Sequence, residues 1–223
     1  MTSGRCAAGA ALLTAALASA CGDATPPSAV QDEPQCARVV VERIALRADP
    51  ACSAASHPLA RSHLPDLTLT PGLCYTTGSV RAELVDSTGR SLAVRITAYS
   101  GINGNPVAGA SLAPFPAPLL DASGATRALL SVTAASVIEV RDESGAREIG
   151  ALLTRDAGWA ELDPATALPS FVTERLVVTG GSGALAGVVG EVLASGDEFV
   201  AGAPATGSLC GAELLDRLRG EAA

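Results

Sequence analysis

A succession of short β-type runs, each bounded by turn residues, most constrains what this chain can fold into. Leu92, Val94, Ile96 and Ala98 alternate with Ala93, Arg95, Thr97 and Tyr99, a period of two that sends one set to each face of a strand. The run 79–85 precedes it, and Asp86-Ser87-Thr88-Gly89-Arg90 between them reads as a hairpin turn. Comparable runs occur at 39–46, 127–133, 136–141, 148–154, 171–178 and 188–193, with the turn Asp142-Glu143-Ser144-Gly145 before 148–154. Residues 101–118 carry Pro106, Pro114, Pro116 and Pro118 and read as a loop, and 212–218 as a short C-terminal helix. No βαβ alternation interrupts the pattern. The expected fold class is therefore all-β, a sandwich or a barrel.

Composition narrows the kind of core and the kind of partner. The 223 residues suit one domain of ordinary size. Hydrophobic residues make up 48% of the chain but aromatics only 3%, so the core has to be built from Ala, Val and Leu, each burying less area than a ring. Lysine is absent and the 15 basic residues are all arginine. A net charge of −8 argues against nucleic acid as a partner, because phosphate binding needs a clustered basic surface. Beyond the first residues, no run approaches the ~18 apolar residues of a membrane-spanning helix.

The first residues read as an export signal. Arg5 is followed by an apolar run from Cys6 to Leu17 and then by Ala18-Ser19-Ala20-Cys21, the three-part layout of a secretory leader. The site resembles a bacterial lipobox, in which cleavage leaves an acylated Cys21 at the new N-terminus, with Ala18 where Leu is usual. Gly22, not Asp, follows the cysteine, which points to the outer membrane in a cell with two membranes. Removing Cys6 and lipidating Cys21 leaves Cys36, Cys52, Cys74 and Cys210, an even set suited to two disulfides in an oxidising compartment. Three pairings are open, and the reading leans to Cys52–Cys74 with Cys36–Cys210. The expected organisation is a signal over 1–20, a flexible acidic tether over 21–35, and one β domain over 36–223. The chain is thus expected to be extracytoplasmic and held at a membrane by lipid.

The sharpest local motif is Thr179-Gly180-Gly181-Ser182-Gly183, continued by Gly187 and Gly190. A dinucleotide-binding turn would need a following helix within a βαβ unit; here the motif is followed by β-type residues, ~40 positions from the end. The other reading is a strand, a glycine-lined bend and a return strand. In it, Gly180, Gly181 and Gly183 supply positive φ or a bulge, and Gly187 and Gly190 permit tight curvature. These glycines resemble, position for position, the late hairpin of the allene oxide cyclase and dirigent-like β-barrels, whose signature is G-G-[ST]-G-x-F-x-G-x-x-G. Leu185 stands where that family has Phe. The resemblance implies a small antiparallel barrel of eight strands, in a family whose enzymes cyclise or guide small hydrophobic molecules. None of the family's catalytic residues falls in the matched hairpin, so no catalytic site is carried over.

Other candidate chemistry is sparse. His57 and His63, with Asp66 nearby, lack helical or strand-alternating ligand spacing and read as an exposed loop, so no metal is expected. Ser182 lies outside any G-x-S-x-G elbow and reads as a bend residue. Asp142, Glu143, Asp156, Glu161 and Asp163 could furnish an acid–base pair, but their positions in or beside turns predict solvated surface. Trp159, the lone tryptophan, reads as a core or barrel-end residue that could line a pocket. No cofactor is called for. The leading expectation is a non-catalytic envelope lipoprotein whose barrel binds a partner protein or a small apolar ligand. The alternative is a cyclase- or isomerase-like barrel enzyme, which requires an apolar cavity holding at least one buried polar group. An adhesion or structural module, by contrast, predicts a solid interior.

Overall fold

The computed structural model describes residues 34–49, 58–59, 74–102, 119–120, 126–162 and 169–220. They form an antiparallel sheet of eleven strands: β1 Gln35–Ile44, β2 Leu46–Ala48, β3 Cys74–Thr77, β4 Val80–Asp86, β5 Ser91–Ile102, β6 Leu119–Leu120, β7 Thr126–Asp142, β8 Glu148–Leu162, β9 Pro169–Gly181, β10 Val189–Gly196 and β11 Ala203–Gly211. Eight of them run in the order β5-β4-β1-β11-β10-β9-β8-β7, and pairing of β5 with β7 closes the ring. The expected eight-stranded antiparallel barrel with a short C-terminal helix is therefore the observed fold. β3 pairs with the far half of β5, β2 with β3, and β6 with the start of β7, extending the wall at one rim.

Turn chemistry sets the hairpins. The β4–β5 turn is organised by Asp86, whose Oδ1 accepts from the backbone N–H groups of Thr88 and Arg90, each at 2.9 Å, and from the Thr88 hydroxyl at 2.6 Å. Gly89 takes the positive φ of 85° that follows. Those hydrogen bonds, the Thr88 hydroxyl's first, hold the Asp86 carboxyl below its ordinary range. Asp142 repeats the device between β7 and β8, accepting from the Ser144 hydroxyl at 2.7 Å with Gly145 at φ 78°. Strand lengths depart from the sequence expectation. The runs 127–133 and 136–141 are one continuous β7, and β8 continues through Asp156 and Trp159 to Leu162. β3 and β11 have only four and nine residues, rich in Thr, Ala and Gly, and carry no clear apolar alternation.

Cys36 and Cys210 face each other across β1 and β11 and are joined by a disulfide. The bridge spans 174 positions, a loop whose closure entropy is worth about 5 kcal/mol on the chain-entropy account. Cys74 is also disulfide-bonded and fully buried; Cys52, its expected partner, lies outside the described residues. So do Cys21 and the whole of the expected signal, with most of the tether.

The lower end of the barrel is closed by the glycine hairpin and the C-terminal helix, Leu214–Arg219. The hairpin is strand, bend and return strand: β9 ends at Gly181, a 3₁₀ turn covers Gly183–Leu185, and β10 begins at Val189. No long helix follows the glycines, so the dinucleotide geometry is not built. Pairing of Leu153 with Gly180 and of Thr154 with Val178 leaves Thr179 as a bulge. Ser182 acts as the bend residue expected, its Oγ accepting from the Ala151 N–H at 3.1 Å. Leu185, Leu214, Leu215 and Leu218 are each 1% exposed, and at roughly 2 kcal/mol per buried leucine they anchor a helix too short to persist alone. Arg217 donates to the Ala186 carbonyl at 2.8 Å, and Arg147 to that of Leu218 at 3.1 Å, fastening the plug to the wall.

Gly190 and Gly187 separate two uses of glycine. At Gly190 a Cβ would lie 2.1 Å from the Ser208 carbonyl oxygen of the neighbouring strand, whereas Gly187 has open space around it and only a positive φ of 75°. Gly190→Ala should cost about 3 kcal/mol or prevent folding, and Gly187→Ala about 1 kcal/mol. Thermal melts of the two variants against the parent check this, and equal losses would contradict the close strand approach.

Candidate functional site

Strand register gives the barrel interior a polarity gradient. Inward positions are i, i+2, i+4 along each strand. From the plugged end upward, β5 presents Leu92, Val94, Ile96, Ala98 and Ser100; β7 presents Val140, Ile138 and Ser136; β8 presents Leu152, Thr154 and Asp156; and β9 presents Val178, Leu176 and Glu174. Cross-strand register joins the hydroxyls, Ser100 opposing Ser136 and Ser136 opposing Thr154, and the stagger of the barrel then sets Thr154 against Val178 and Asp156 against Leu176. The lower and middle layers are aliphatic, and the upper layer is hydroxyl and carboxyl.

The aliphatic layers do not fill the space they enclose. A cavity of about 90 Å³ runs up the interior, lined by Val41, Ile96, Ile138, Leu176 and Val192 among others, with Leu185 and Leu218 at its base. Among the described residues, no aromatic side chain lines it. Thr77, Ser100, Glu174 and Glu198 form its polar part. Glu198 reaches in from the turn between β10 and β11, whose backbone is held by a 2.7 Å hydrogen bond from the Leu46 N–H to the Glu198 carbonyl. Tyr75 and Phe199 meet edge to face, 5.5 Å apart, on β3 and in the same turn.

Three carboxyl side chains converge at this end, and among the described residues none of them is in an ion pair. Asp156 is 4% exposed and Glu198 2%, and Glu174 lines the cavity. Ser136 donates to Asp156 Oδ2 at 2.5 Å and is itself bonded to Ser100 Oγ at 2.8 Å. Glu198 Oε1 is buried without a hydrogen-bond partner among the described residues, whereas Asp156 has the Thr154 hydroxyl beside it as a further hydrogen-bonding neighbour. Burial pushes the Glu198 carboxyl from its ordinary 4.5 up to about 7, with the charge of Asp156 adding to the shift. Burial, then the charges of Asp156 and Glu198, raises Glu174 well above its usual range. Asp156 is raised by burial against the lowering effect of the Ser136 and Thr154 hydrogen bonds and of the Arg155 charge. A carboxyl that exchanges its proton near neutrality inside an apolar enclosure can donate a hydrogen bond, or move a proton to and from a bound molecule.

The sequence expectation for Asp156 is thus overturned. It sits inside the barrel, because β8 continues past Thr154 and the period of two turns it inward. Asp142 and Glu143 do lie in an exposed turn, as expected; Glu161 is on β8. Asp163, His57, His63 and Asp66 lie outside the described residues. Trp159 faces outward, half-exposed and stacked on Phe171 with ring centroids 5.9 Å apart. It is a barrel-end residue, neither in the core nor on the cavity. Glu174 and Glu198 were not anticipated as site residues. Glu174 had a readable signal, since it shares the inward phase of Leu176 and Val178. Glu198 had none, because a turn residue has no period. Among the described residues, no group of three or more His, Cys, Asp or Glu side chains is placed to hold a metal ion. No protein-family model matches the chain, and no curated protein or solved structure matches it.

The raised carboxyls set the sign of the pH dependence. A group whose folded pKa exceeds its unfolded one binds more protons in the native state, so stability falls as pH rises between the two values. For Glu198 that window runs from 4.5 to about 7, worth about 3 kcal/mol. Asp86 and Asp142, held low, act in the opposite sense only at more acid pH. Urea unfolding should show stability dropping between about pH 5 and about pH 8, and Glu198→Gln should shrink that drop, with Glu174 and Asp156 supplying the remainder. A parent curve that rises over this range would show that the carboxyls are not buried as described.

Proposed function

We propose that this chain is an exported bacterial envelope lipoprotein, anchored through Cys21, whose barrel binds a small and mostly apolar ligand in its interior. The carrying observation is the cavity: an aliphatic space of about 90 Å³, several times the ~10–15 Å³ that one water needs, capped by carboxyls at one end. An eight-stranded barrel is the size at which the interior either fills with side chains or holds one small ligand, and here small side chains leave room. The Cys36–Cys210 disulfide supports an oxidising compartment. The export-type leader, the lipobox-like Ala18-Ser19-Ala20-Cys21 and the Gly22 that follows support lipid anchoring, at the outer membrane where there is one. A partner protein of the envelope could present or receive the ligand; nucleic acid is disfavoured by the acidic charge.

One observation favours a second reading, a cyclase- or isomerase-like activity on a small hydrophobic substrate. Glu198 is an acid near neutrality in an apolar cavity, the environment in which a carboxyl serves as general acid or base. This reading agrees with the resemblance of the glycine hairpin to the allene oxide cyclase and dirigent-like barrels. It requires turnover of a bound molecule; binding without turnover leaves the first reading.

Two measurements test the proposal. Toluene, used as a small apolar probe, should raise the melting temperature of the parent protein, and Ala98→Phe, which fills the cavity from β5, should lose that response while staying folded. No toluene response in the parent would remove the binding reading. Intact-mass analysis of non-reduced protein from its native membrane should find a diacylglyceryl group on Cys21 with Cys36, Cys52, Cys74 and Cys210 paired. Unmodified Cys21 would remove the anchor.

A further inference from the structure

The polar end of the cavity has an unusual balance of groups. Asp156, Glu174 and Glu198 are acceptors when ionised, and among the described residues none of them is in an ion pair. Ion pairs join Asp86, Asp142, Glu143, Glu191 and Asp216 to arginines on the outside of the barrel. Arg155, next to Asp156 in sequence, is exposed on the outer face. Among the described residues, no basic side chain lines the cavity. Glu198, 2% exposed and lining the cavity, keeps Oε1 without a hydrogen-bond partner among the described residues, and the buried charge of Asp156 acts on it from behind the lining. A buried acceptor left unpaired is costly, and three carboxyls grouped in an apolar enclosure are costlier still. Such an arrangement persists at little loss if an occupant supplies what is missing. The missing elements are a positive charge and N–H donors.

We propose that the natural occupant is a small primary amine on an apolar body, its ammonium seated between Glu198 and Glu174 and its body among Val41, Ile96, Ile138, Leu176 and Val192. This rests on the ligand-binding reading of the barrel and names the class of ligand. An ammonium offers three donors on a compact charge, which meets the orphaned oxygen of Glu198 and the carboxyl of Glu174 while its charge offsets an ionised carboxylate. The apolar body meets the aliphatic layers below. A neutral alcohol supplies one donor and no charge. A carboxylate brings a fourth acid into the cluster.

The test uses the full chain with its disulfides intact and four probes of matched body: benzylamine, benzyl alcohol, benzoate and toluene, measured by calorimetry near neutral pH. Benzylamine should bind at least about tenfold tighter than benzyl alcohol, in keeping with a charge-assisted hydrogen bond in a dry site, and benzoate should not bind. Glu198→Gln, and independently Glu174→Gln, should reduce the benzylamine preference by about tenfold and leave toluene affinity within about twofold. Equal affinities of the parent for benzylamine and benzyl alcohol would overturn the amine assignment while leaving the ligand-binding barrel standing. Failure of all four probes to bind would overturn both. An amine preference unchanged in both variants would also overturn the proposal, because the ammonium would then sit elsewhere.

Discussion

Closure of the sheet by the pairing of β5 with β7 is the constraint from which the rest of the molecule follows. Once Val94 to Ile102 pairs with Ala134 to Asp142, no edge remains in the eight-stranded ring, and its inner diameter is fixed by strand number and stagger. Everything that points inward must then share one volume. The Cys36–Cys210 bridge secures the first and last strands of the chain within the ring, so loss of the terminal segments from the wall is opposed covalently.

A fixed interior and a chain poor in aromatics do not match. The lower third of the barrel is solved by importing leucines from outside the wall, Leu185 from the glycine bend and Leu214, Leu215 and Leu218 from the helix. The middle third is lined by Val, Ile and Leu, which are too small to meet across the axis. The cavity is the remainder. At the upper end the wall supplies polar side chains from four neighbouring strands and one turn, and their shared burial makes each acid hold its proton more tightly. Apolar space, buried acids and an unpaired carboxyl oxygen are therefore consequences of one geometry.

A good part of this was legible in the residues. The β4–β5 hairpin could be read because Asp86 and Gly89 state the turn and Leu92 to Ala98 state the face. The glycine bend could be read because Gly183 and Gly187 mark positive φ. β11 was not legible: Ala203, Ala205, Gly207 and Leu209 point inward, but small residues on both faces blur the alternation. Asp156 misled for a definite reason. Asp followed by Ala and Gly has turn composition, and only pairing with β7 on one side and β9 on the other keeps that stretch extended. Tertiary pairing overrode local propensity there.

By itself the sequence determined the all-β character, the turn positions and the scarcity of large core side chains, because these follow from local periodicity, turn chemistry and composition. The export-type leader and the even set of cysteines are likewise properties of the string. Only the tertiary structure decided that Glu174, Asp156 and Glu198, spread over 43 positions from first to last, would share one buried site. Their meeting depends on which strands pair and in what register, and a shift of one residue would turn the inward side chains of a strand to the outside. The acidity of each then depends on burial and on its neighbours' charges, quantities that exist only once the barrel has closed.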